Sequence, residues 1–127
     1  MRYELLNGAN LAYIGDAYYE LVIRKYLIDK GITKNKELKK QSLKFVSASS
    51  HEKIYEKIKD ELTEEEQKIY LRGRNNAPSS HRKNVDQASY VVSTGLEAVV
   101  GYLYLMKMDD RLNYLMNLII KKGEEIC

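Results

Sequence analysis

Two short stretches of the sequence each place one carboxylate among apolar residues. Asp16 is the only charged residue in LAYIGDAYY, and Glu97 is the only one in GLEAVVGYLYLM. Small residues accompany both acids, with Gly15 before Asp16 and with Gly95 and Gly101 on either side of Glu97. If the two segments cross at these small residues, the carboxylates meet, and two like charges in a poorly solvated site either share a proton or bind a cation. Carboxylate oxygens together with water suit Mg²⁺ or Mn²⁺.

The residues alone also allow each acid to be satisfied separately. Asp16 could pair with Arg24, or with a backbone or hydroxyl donor. Glu97 could accept a hydrogen bond from one of the eleven tyrosine hydroxyls. Isolated buried acids are more often paired for structural reasons than used in catalysis, so both interpretations stay open at this point.

Both acids lie on predicted helices. Asn10 is a candidate N-cap for a helix that runs to about Lys30, with Gly31 as its stop. On a helical wheel, residues 11–28 are apolar in nearly every direction, which is typical of a central helix packed on more than one side. A chain of this size cannot cover such a helix alone, so the pattern favours a tight dimer. The helix carrying Glu97 is predicted from about Val85 to Met108.

The remaining segments complete an all-α pattern in a single domain, residues 1–127. A second helix begins at Thr33 or Asn35 and reaches about Ala48, and a third begins at Ser49 or Ser50. Thr63 followed by Glu66 predicts a capping box for a fourth helix, EEEQKIYLRG. The loop from about 73 to 84 contains the only proline, and DRLNYLMNLIIKKGEEI forms the last helix. No alternating pattern predicts a useful strand.

Positive charge is concentrated in two places although the net charge is only +3. Residues 72–83, RGRNNAPSSHRK, contain four Arg or Lys residues and no acid. Residues 30–44 contain six lysines and one glutamate, a pattern more typical of a solvated helix face. Clustered base without acid, as in residues 72–83, favours contact with a polyanion, although a merely soluble loop is the alternative.

The single cysteine, Cys127, predicts no intramolecular disulfide, and no Cys/His cluster has zinc spacing. The first ten residues lack the long apolar run of a signal peptide. No apolar run approaches the length of a membrane span. These features together predict a cytoplasmic protein with no membrane partner.

LAYIGDAYYELVIRKYL resembles the first catalytic helix of the ribonuclease III family, and STGLEAVVGYLYL resembles the second. These segments, together with RGRNN and NKELKKQSLKFVSASSHEK, are similar to the compact branch called Mini-ribonuclease III. The resemblance covers nearly the whole chain from about Ala9. It matches Asp16 and Glu97 to catalytic, metal-binding acids. Two further acids of typical ribonuclease III enzymes are replaced by Ala12 and Thr94, and the compact branch has the same reduced set.

The resemblance implies a ribonuclease III-like helical endonuclease domain in a symmetric homodimer. It implies Mg²⁺-dependent hydrolysis of double-stranded RNA, with Mn²⁺ as an alternative ion and with 5′-phosphate and 3′-hydroxyl ends as products. The family's role implies a stem in the large-subunit ribosomal RNA precursor as the substrate and leaves open whether a ribosomal protein assists. The alternative is a duplex-RNA-binding or ribosome-assembly factor with a decayed active site, which the missing acids would support.

Few residues follow Glu97, so we expect no separate duplex-binding domain. We therefore expect the catalytic domain itself to contact the RNA. Phosphate contacts need basic side chains and amide donors. The candidate RNA-binding residues are Arg72, Arg74, Asn75, His81, Arg82 and Lys83. His81 is a conceivable proton donor, although a phosphate contact is favoured. For Arg72 the alternative is an ion pair with Glu65 or Glu66.

Overall fold

The computed structural model describes residues 1–77 and 86–126, and its secondary structure in those ranges is entirely helical. Short 3₁₀ helices span Tyr3–Leu5 and Lys59–Glu61. The α-helices are α1 (Gly8–Asp29), α2 (Asn35–Val46), α3 (Ala48–Ile58), α4 (Glu64–Asn75), α5 (Gln87–Leu105) and α6 (Asp109–Glu125). The prediction of an all-α fold is therefore confirmed. None of the described helices combines the length and the apolarity needed to cross a membrane.

Several helix boundaries differ from the prediction by two or three residues; α5, for example, ends at Leu105 rather than at about Met108. The Asn7 side chain caps α1 by accepting from the Asn10 backbone N–H at 2.8 Å, so α1 begins three residues before the predicted start. The predicted capping box between Thr63 and Glu66 is confirmed at the start of α4. At its other end, α4 continues beyond Gly73 to Asn75.

The core is centred on α5, which packs against α1, α3 and α4. Eleven of its side chains or glycines are buried, more than in any other described helix. The stripe that α1 buries against it consists of Leu11, Ala12, Gly15, Tyr19, Ile23 and Leu27. This stripe recurs at intervals of three or four residues, as one face of a helix does. The two helices that carry the candidate acids are therefore direct packing partners.

Two charged networks fasten α6 to the rest of the fold. Arg111 binds Glu66 with two nitrogens, at 2.7 and 2.8 Å, and Glu66 is only 2% exposed. Near the other end of α6, Glu124 accepts from Lys30 at 2.6 Å and from Lys44 at 2.8 Å. Each network joins elements far apart in the sequence, so α6 closes the bundle that positions α1 and α5.

Candidate active site

The candidate site is built where α1 and α5 touch backbone to backbone. A Cβ atom added to Gly15 would lie 1.7 Å from the carbonyl oxygen of Glu97. A Cβ atom added to Gly101 would lie 1.9 Å from the carbonyl oxygen of Leu11. Only glycine allows such an approach, because any side chain would enter the neighbouring backbone. The predicted crossing at small residues is thus present, and it places Asp16 and Glu97 directly beside the contact.

The two acids differ in exposure. Glu97 is half-buried, but Asp16 is exposed, as are Tyr13 and Ala17 on the same side of α1. The expectation that Asp16 is buried among apolar neighbours is therefore wrong for the single chain. The reason is that α1 buries only the stripe containing Gly15 and Tyr19, and Asp16 points away from it.

The carboxyl groups of Asp16 and Glu97 interact directly. The pKa of Glu97 is raised to about 9, first by burial, then by its hydrogen bond to Asp16 and by the negative charges of Asp16 and Glu20. Without a cation, Glu97 therefore keeps its proton at neutral pH and donates it towards the Asp16 carboxylate. Of the two outcomes expected for crowded acids, the raised pKa of Glu97 favours a shared proton whenever no cation is bound.

Among the residues that the structure describes, none of the separate pairings that the sequence allowed for the two acids is found. Arg24 bonds to Glu20 at 3.2 Å rather than to Asp16. Within residues 1–77 and 86–126, neither Asp16 nor Glu97 has a cationic partner at salt-bridge distance. The pair is left without a positive charge from those residues.

The donor set fits a hard divalent cation. The carboxyl groups of Asp16 and Glu97 are oxygen ligands of the kind that Mg²⁺ or Mn²⁺ prefers, and burial together with the neighbouring negative charge favours a bound cation at Glu97. No group of three or more His, Cys, Asp or Glu residues in the described part of the chain could hold a metal. The protein would therefore supply two carboxylates, and water or a bound phosphate would have to complete the coordination shell.

The positions of the two acids missing from the family pattern face the interior. Ala12 is 6% exposed and Thr94 is 5% exposed. The Thr94 hydroxyl donates to the carbonyl oxygen of Tyr90 at 3.0 Å, so it is already committed within α5. Glu20, one turn after Asp16, is the additional acid whose charge reaches Glu97. Glu20 was not among the predicted site residues, although its spacing of four residues from Asp16 places it on the same face of a helix.

The candidate RNA-binding residues divide into three groups. Arg74 and Asn75 are exposed on the last turn of α4 rather than in a loop. Arg72 is half-buried, and its Nη1 donates to the carbonyl oxygens of Glu4 at 2.7 Å and of Leu6 at 3.1 Å. His81, Arg82 and Lys83 lie outside the described residues.

The last turn of α4 is close to the acidic pair. A Cβ atom on Gly73 would lie 2.6 Å from the Ala98 side chain and 2.9 Å from the Cα of Gly95. Ala98 is the residue after Glu97, so Gly73 anchors the end of α4 within one turn of that acid. The sequence predicted a loop from Gly73 onward, and this tertiary contact accounts for the longer helix.

A buried histidine beside the site was also missed. His51, on the first turn of α3, is 1% exposed and shares a 2.6 Å hydrogen bond with the Ser93 hydroxyl. Its ring meets Tyr19 edge-on, with the centroids 4.6 Å apart. No spacing in the sequence marks His51, because both partners come from distant helices.

Comparisons with known proteins identify the family of this chain. Residues 9–108 match the family model "Ribonuclease III domain". The chain is 43% identical over 125 residues to a Mini-ribonuclease 3 from Enterococcus faecalis, covering 97% of this chain and 95% of that one. It is 40% identical over 119 residues to a Mini-ribonuclease 3 from Staphylococcus aureus, covering 92% and 89%.

A solved structure extends the likeness to the fold. The crystal structure of a Fusobacterium nucleatum protein superposes with a TM-score of 0.81 at 33% identity, covering 92% of this chain and 93% of that one. Both acids of the helix crossing fall inside the residues matched by the family model. The chain therefore belongs to the ribonuclease III family and, within it, to the Mini-ribonuclease III branch.

Proposed function

We propose that this protein is a divalent-metal-dependent endoribonuclease that hydrolyses double-stranded RNA, with Asp16 and Glu97 as the catalytic, metal-holding acids. The observation that carries the proposal is the meeting of these two carboxyl groups at the glycine crossing of α1 and α5. The names of the curated relatives support the ribonuclease activity. The metal, the products and the natural substrate are part of this proposal.

The ion, Mg²⁺ or Mn²⁺, would lower the pKa of a bound water and stabilise the charge that develops on the phosphate. The protein's part is to hold two oxygen donors in fixed positions and to give up the Glu97 proton when the ion binds. Asp16 is exposed in the single chain. Glu97 is held by the rigid backbone contact of α5 with α1. Hydrolysis then leaves 5′-phosphate and 3′-hydroxyl ends.

The experiment is cleavage of a long RNA duplex by the purified protein in Mg²⁺, in Mn²⁺ and in chelator, with the product ends analysed. We expect cutting only with the ion, and we expect Asp16→Asn and Glu97→Gln to abolish cutting while still binding duplex. Both substitutions keep the shape of the side chain and remove an anionic ligand. Near wild-type cutting by either variant in Mg²⁺ would refute the assignment of that acid.

The same experiment tests the alternative function, a duplex-RNA binder with a decayed site. The specific observation in its favour is that positions 12 and 94 carry buried Ala and Thr where typical relatives of the family have acids. Duplex binding by the wild-type protein with no cutting in either ion would establish this alternative.

For duplex binding we propose Arg74 and Asn75 as phosphate contacts, together with His81, Arg82 and Lys83 from outside the described residues. The supporting observation is that the exposed last turn of α4 is anchored within one turn of Glu97. We propose a smaller role in phosphate binding for Arg72, because its Nη1 already donates to two backbone carbonyl oxygens.

The contacts are tested by a binding titration at several salt concentrations in an Asp16→Asn background. Arg74→Ala should weaken binding and reduce the log–log salt slope by roughly 0.7–0.9, the value for one phosphate contact. Lys59→Ala is the matched control, because this lysine is already paired with Glu56 at 2.9 Å. Equal salt slopes for the two variants would exclude Arg74 as a phosphate contact.

We further propose a symmetric homodimer formed through α1. Its supporting observation is the large apolar side chains that α1 leaves in water, with Tyr13 80%, Leu21 64% and Ile28 49% exposed. A second copy would cover them, since single surface apolar residues are common but such a stripe along one helix is not. Sedimentation at micromolar concentration should give twice 14.8 kDa, and a well-folded monomer would refute the dimer.

The natural substrate that we propose is a paired stem in the large-subunit ribosomal RNA precursor, processed in the cytoplasm. This substrate assignment rests on the resemblance to the family, and its test is separate from the test of RNA cleavage. Deleting the gene should leave extended ends on that RNA, and adding purified protein should trim them. If trimming requires added ribosomal protein, the helper becomes part of the function. Unchanged RNA ends after deletion would refute the substrate assignment but would leave the nuclease activity standing.

A further inference from the structure

His51 occupies a buried position between the two helices that carry the acids. Its side chain is 1% exposed, although histidine is more often only partly buried. On one side, Nδ1 lies 2.6 Å from the Ser93 hydroxyl of α5. On the other, the ring packs edge-on against Tyr19 of α1 at 4.6 Å between centroids. A residue of α3 therefore contacts both helices at once.

Both contacts fall within about one turn of an acid. Ser93 precedes Glu97 by four residues, which places it one turn earlier on α5. Tyr19 follows Asp16 by three residues on α1. Burial is the main cause of the pKa shifts of both His51 and Tyr19, with smaller contributions from Asp16 at His51 and from Glu97, once ionised, at Tyr19.

Tyr19 is itself immobilised. Its hydroxyl donates to the backbone carbonyl oxygen of Phe45 at 2.6 Å, and its side chain is 1% exposed. Phe45 lies at the end of α2, just before the Ser47 that caps α3. The contacts therefore run from α5 through His51 and Tyr19 to the junction of α2 and α3. The glycine crossing fixes how closely α1 and α5 approach, and these side chains add an independent constraint on how each helix is rotated.

His51 remains neutral in this position. Burial lowers its pKa to about 4, while the charge of Asp16 and the carbonyl of Phe45 oppose the shift. A neutral imidazole brings no positive charge that would compete with a cation for the acids. Among the described residues, Nε2 has no hydrogen-bond partner although it is buried. An apolar side chain would avoid that cost, so what the imidazole contributes at this position is its Nδ1 hydrogen bond and its ring contact.

We propose that His51 is a positioning residue for the metal-holding pair, and this inference rests on the proposed function. Through Ser93 and Tyr19 it holds Glu97 and Asp16 at the spacing and rotation that a divalent ion requires. Mutating a residue that orients metal ligands commonly lowers metal affinity or activity about 10- to 100-fold.

Three variants test this inference: His51→Leu, His51→Asn and Ser93→Ala. Leucine keeps the bulk without the hydrogen bond, whereas the amide of asparagine can occupy the place of Nδ1 and bond Ser93. For each, Mn²⁺ binding is measured by calorimetry without RNA, kcat and KM are measured on a duplex, and thermal unfolding is recorded in chelator. We expect His51→Leu and Ser93→Ala to weaken Mn²⁺ binding and to lower kcat, each roughly 10- to 100-fold, with KM little changed. We expect His51→Asn to keep most of the wild-type Mn²⁺ affinity and most of the wild-type kcat.

The alternative is a merely structural histidine. In that case Mn²⁺ affinity and kcat stay at wild-type values in every variant that is folded, whatever happens to its melting temperature, and the inference is refuted. If His51→Leu does not fold, Ser93→Ala and His51→Asn decide between the two. Failure of the wild-type protein to bind Mn²⁺ or to cut would refute the proposed function instead, so the two failures are distinct.

Discussion

Replacing Gly101 with alanine should separate α1 from α5 and damage the site without touching either acid. The added methyl carbon would lie 1.9 Å from the carbonyl oxygen of Leu11, whereas such carbon and oxygen atoms come no closer than about 3.3 Å. The helices must therefore open by more than about 1 Å at a point one turn from Glu97. The obstacle is backbone, so no side chain can rotate to relieve it.

The magnitude follows from that displacement. Overpacking a core costs about 1–3 kcal/mol, and a rigid backbone contact belongs at the upper end, so we expect a loss of about 3 kcal/mol. For a chain of this length, that lowers the melting temperature by roughly 10 °C. Moving a catalytic group by about 1 Å can cost roughly 100-fold in rate, so cleavage at saturating Mg²⁺ should fall by about that factor at temperatures where the variant is folded.

Gly31→Ala provides the matched control. Gly31 has φ +91°, a left-handed conformation, but nothing lies within 4 Å of the atom that would be added. Alanine there should cost about 1 kcal/mol in backbone strain and leave cleavage unchanged. Thermal unfolding and duplex cleavage measured on both variants separate general destabilisation from site damage. Wild-type stability together with wild-type cleavage for Gly101→Ala would refute the close crossing.

Three further predictions concern charged side chains. Glu97→Gln should stabilise the metal-free protein increasingly as pH rises from about 4.5 towards 9, because over that range the carboxyl group of Glu97 ionises in the unfolded chain but not in the folded one. Thermal unfolding by calorimetry in chelator measures the stabilisation, and a gain independent of pH would contradict the prediction. Arg111→Met should lower the free energy of unfolding in denaturant by about 3 kcal/mol, since it leaves the buried Glu66 carboxylate unpaired. A loss below about 1 kcal/mol would show that water replaces the arginine. Glu124→Gln should lower the melting temperature clearly at pH 7 and much less at pH 2, because the pKa of Glu124 is lowered to about 2 by Lys30 first and then by Lys44. The stabilisation is lost as pH falls from 4.5 through 2, and a difference as large at pH 2 as at pH 7 would refute this.

What the sequence could predict was local or periodic. The capping box of Thr63 and Glu66 is encoded within four residues, and the structure contains it. The glycines beside the acids predicted a close helix crossing, since a stripe of small residues on an apolar helix has few other uses. Even the error at the start of α1 was local: Asn10 takes part in the cap through its backbone N–H, while Asn7 provides the side chain.

What the sequence could not predict depended on distant partners. Arg72 was expected to bind RNA or a neighbouring acid, but its Nη1 bonds carbonyl oxygens more than 60 residues earlier in the chain. His51 has partners on α1 and α5, neither of which is marked by spacing. The exposure of Asp16 also escaped prediction, because periodicity shows which residues are apolar but not which apolar face the same chain covers.

The manner in which Arg72 is held has a consequence for encounter rates. Backbone carbonyls accept its hydrogen bonds but carry no formal charge, and no acid in residues 1–77 and 86–126 forms an ion pair with this guanidinium. A fixed, uncancelled charge attracts a polyanion over about a Debye length and accelerates association even when it makes no final contact. Arg72→Gln should therefore slow association with duplex RNA at low salt more than it speeds dissociation, whereas Arg74→Gln should act mainly on dissociation. Of these two arginines, which are two residues apart on α4, Arg72 would then mainly set the association rate and Arg74 the dissociation rate.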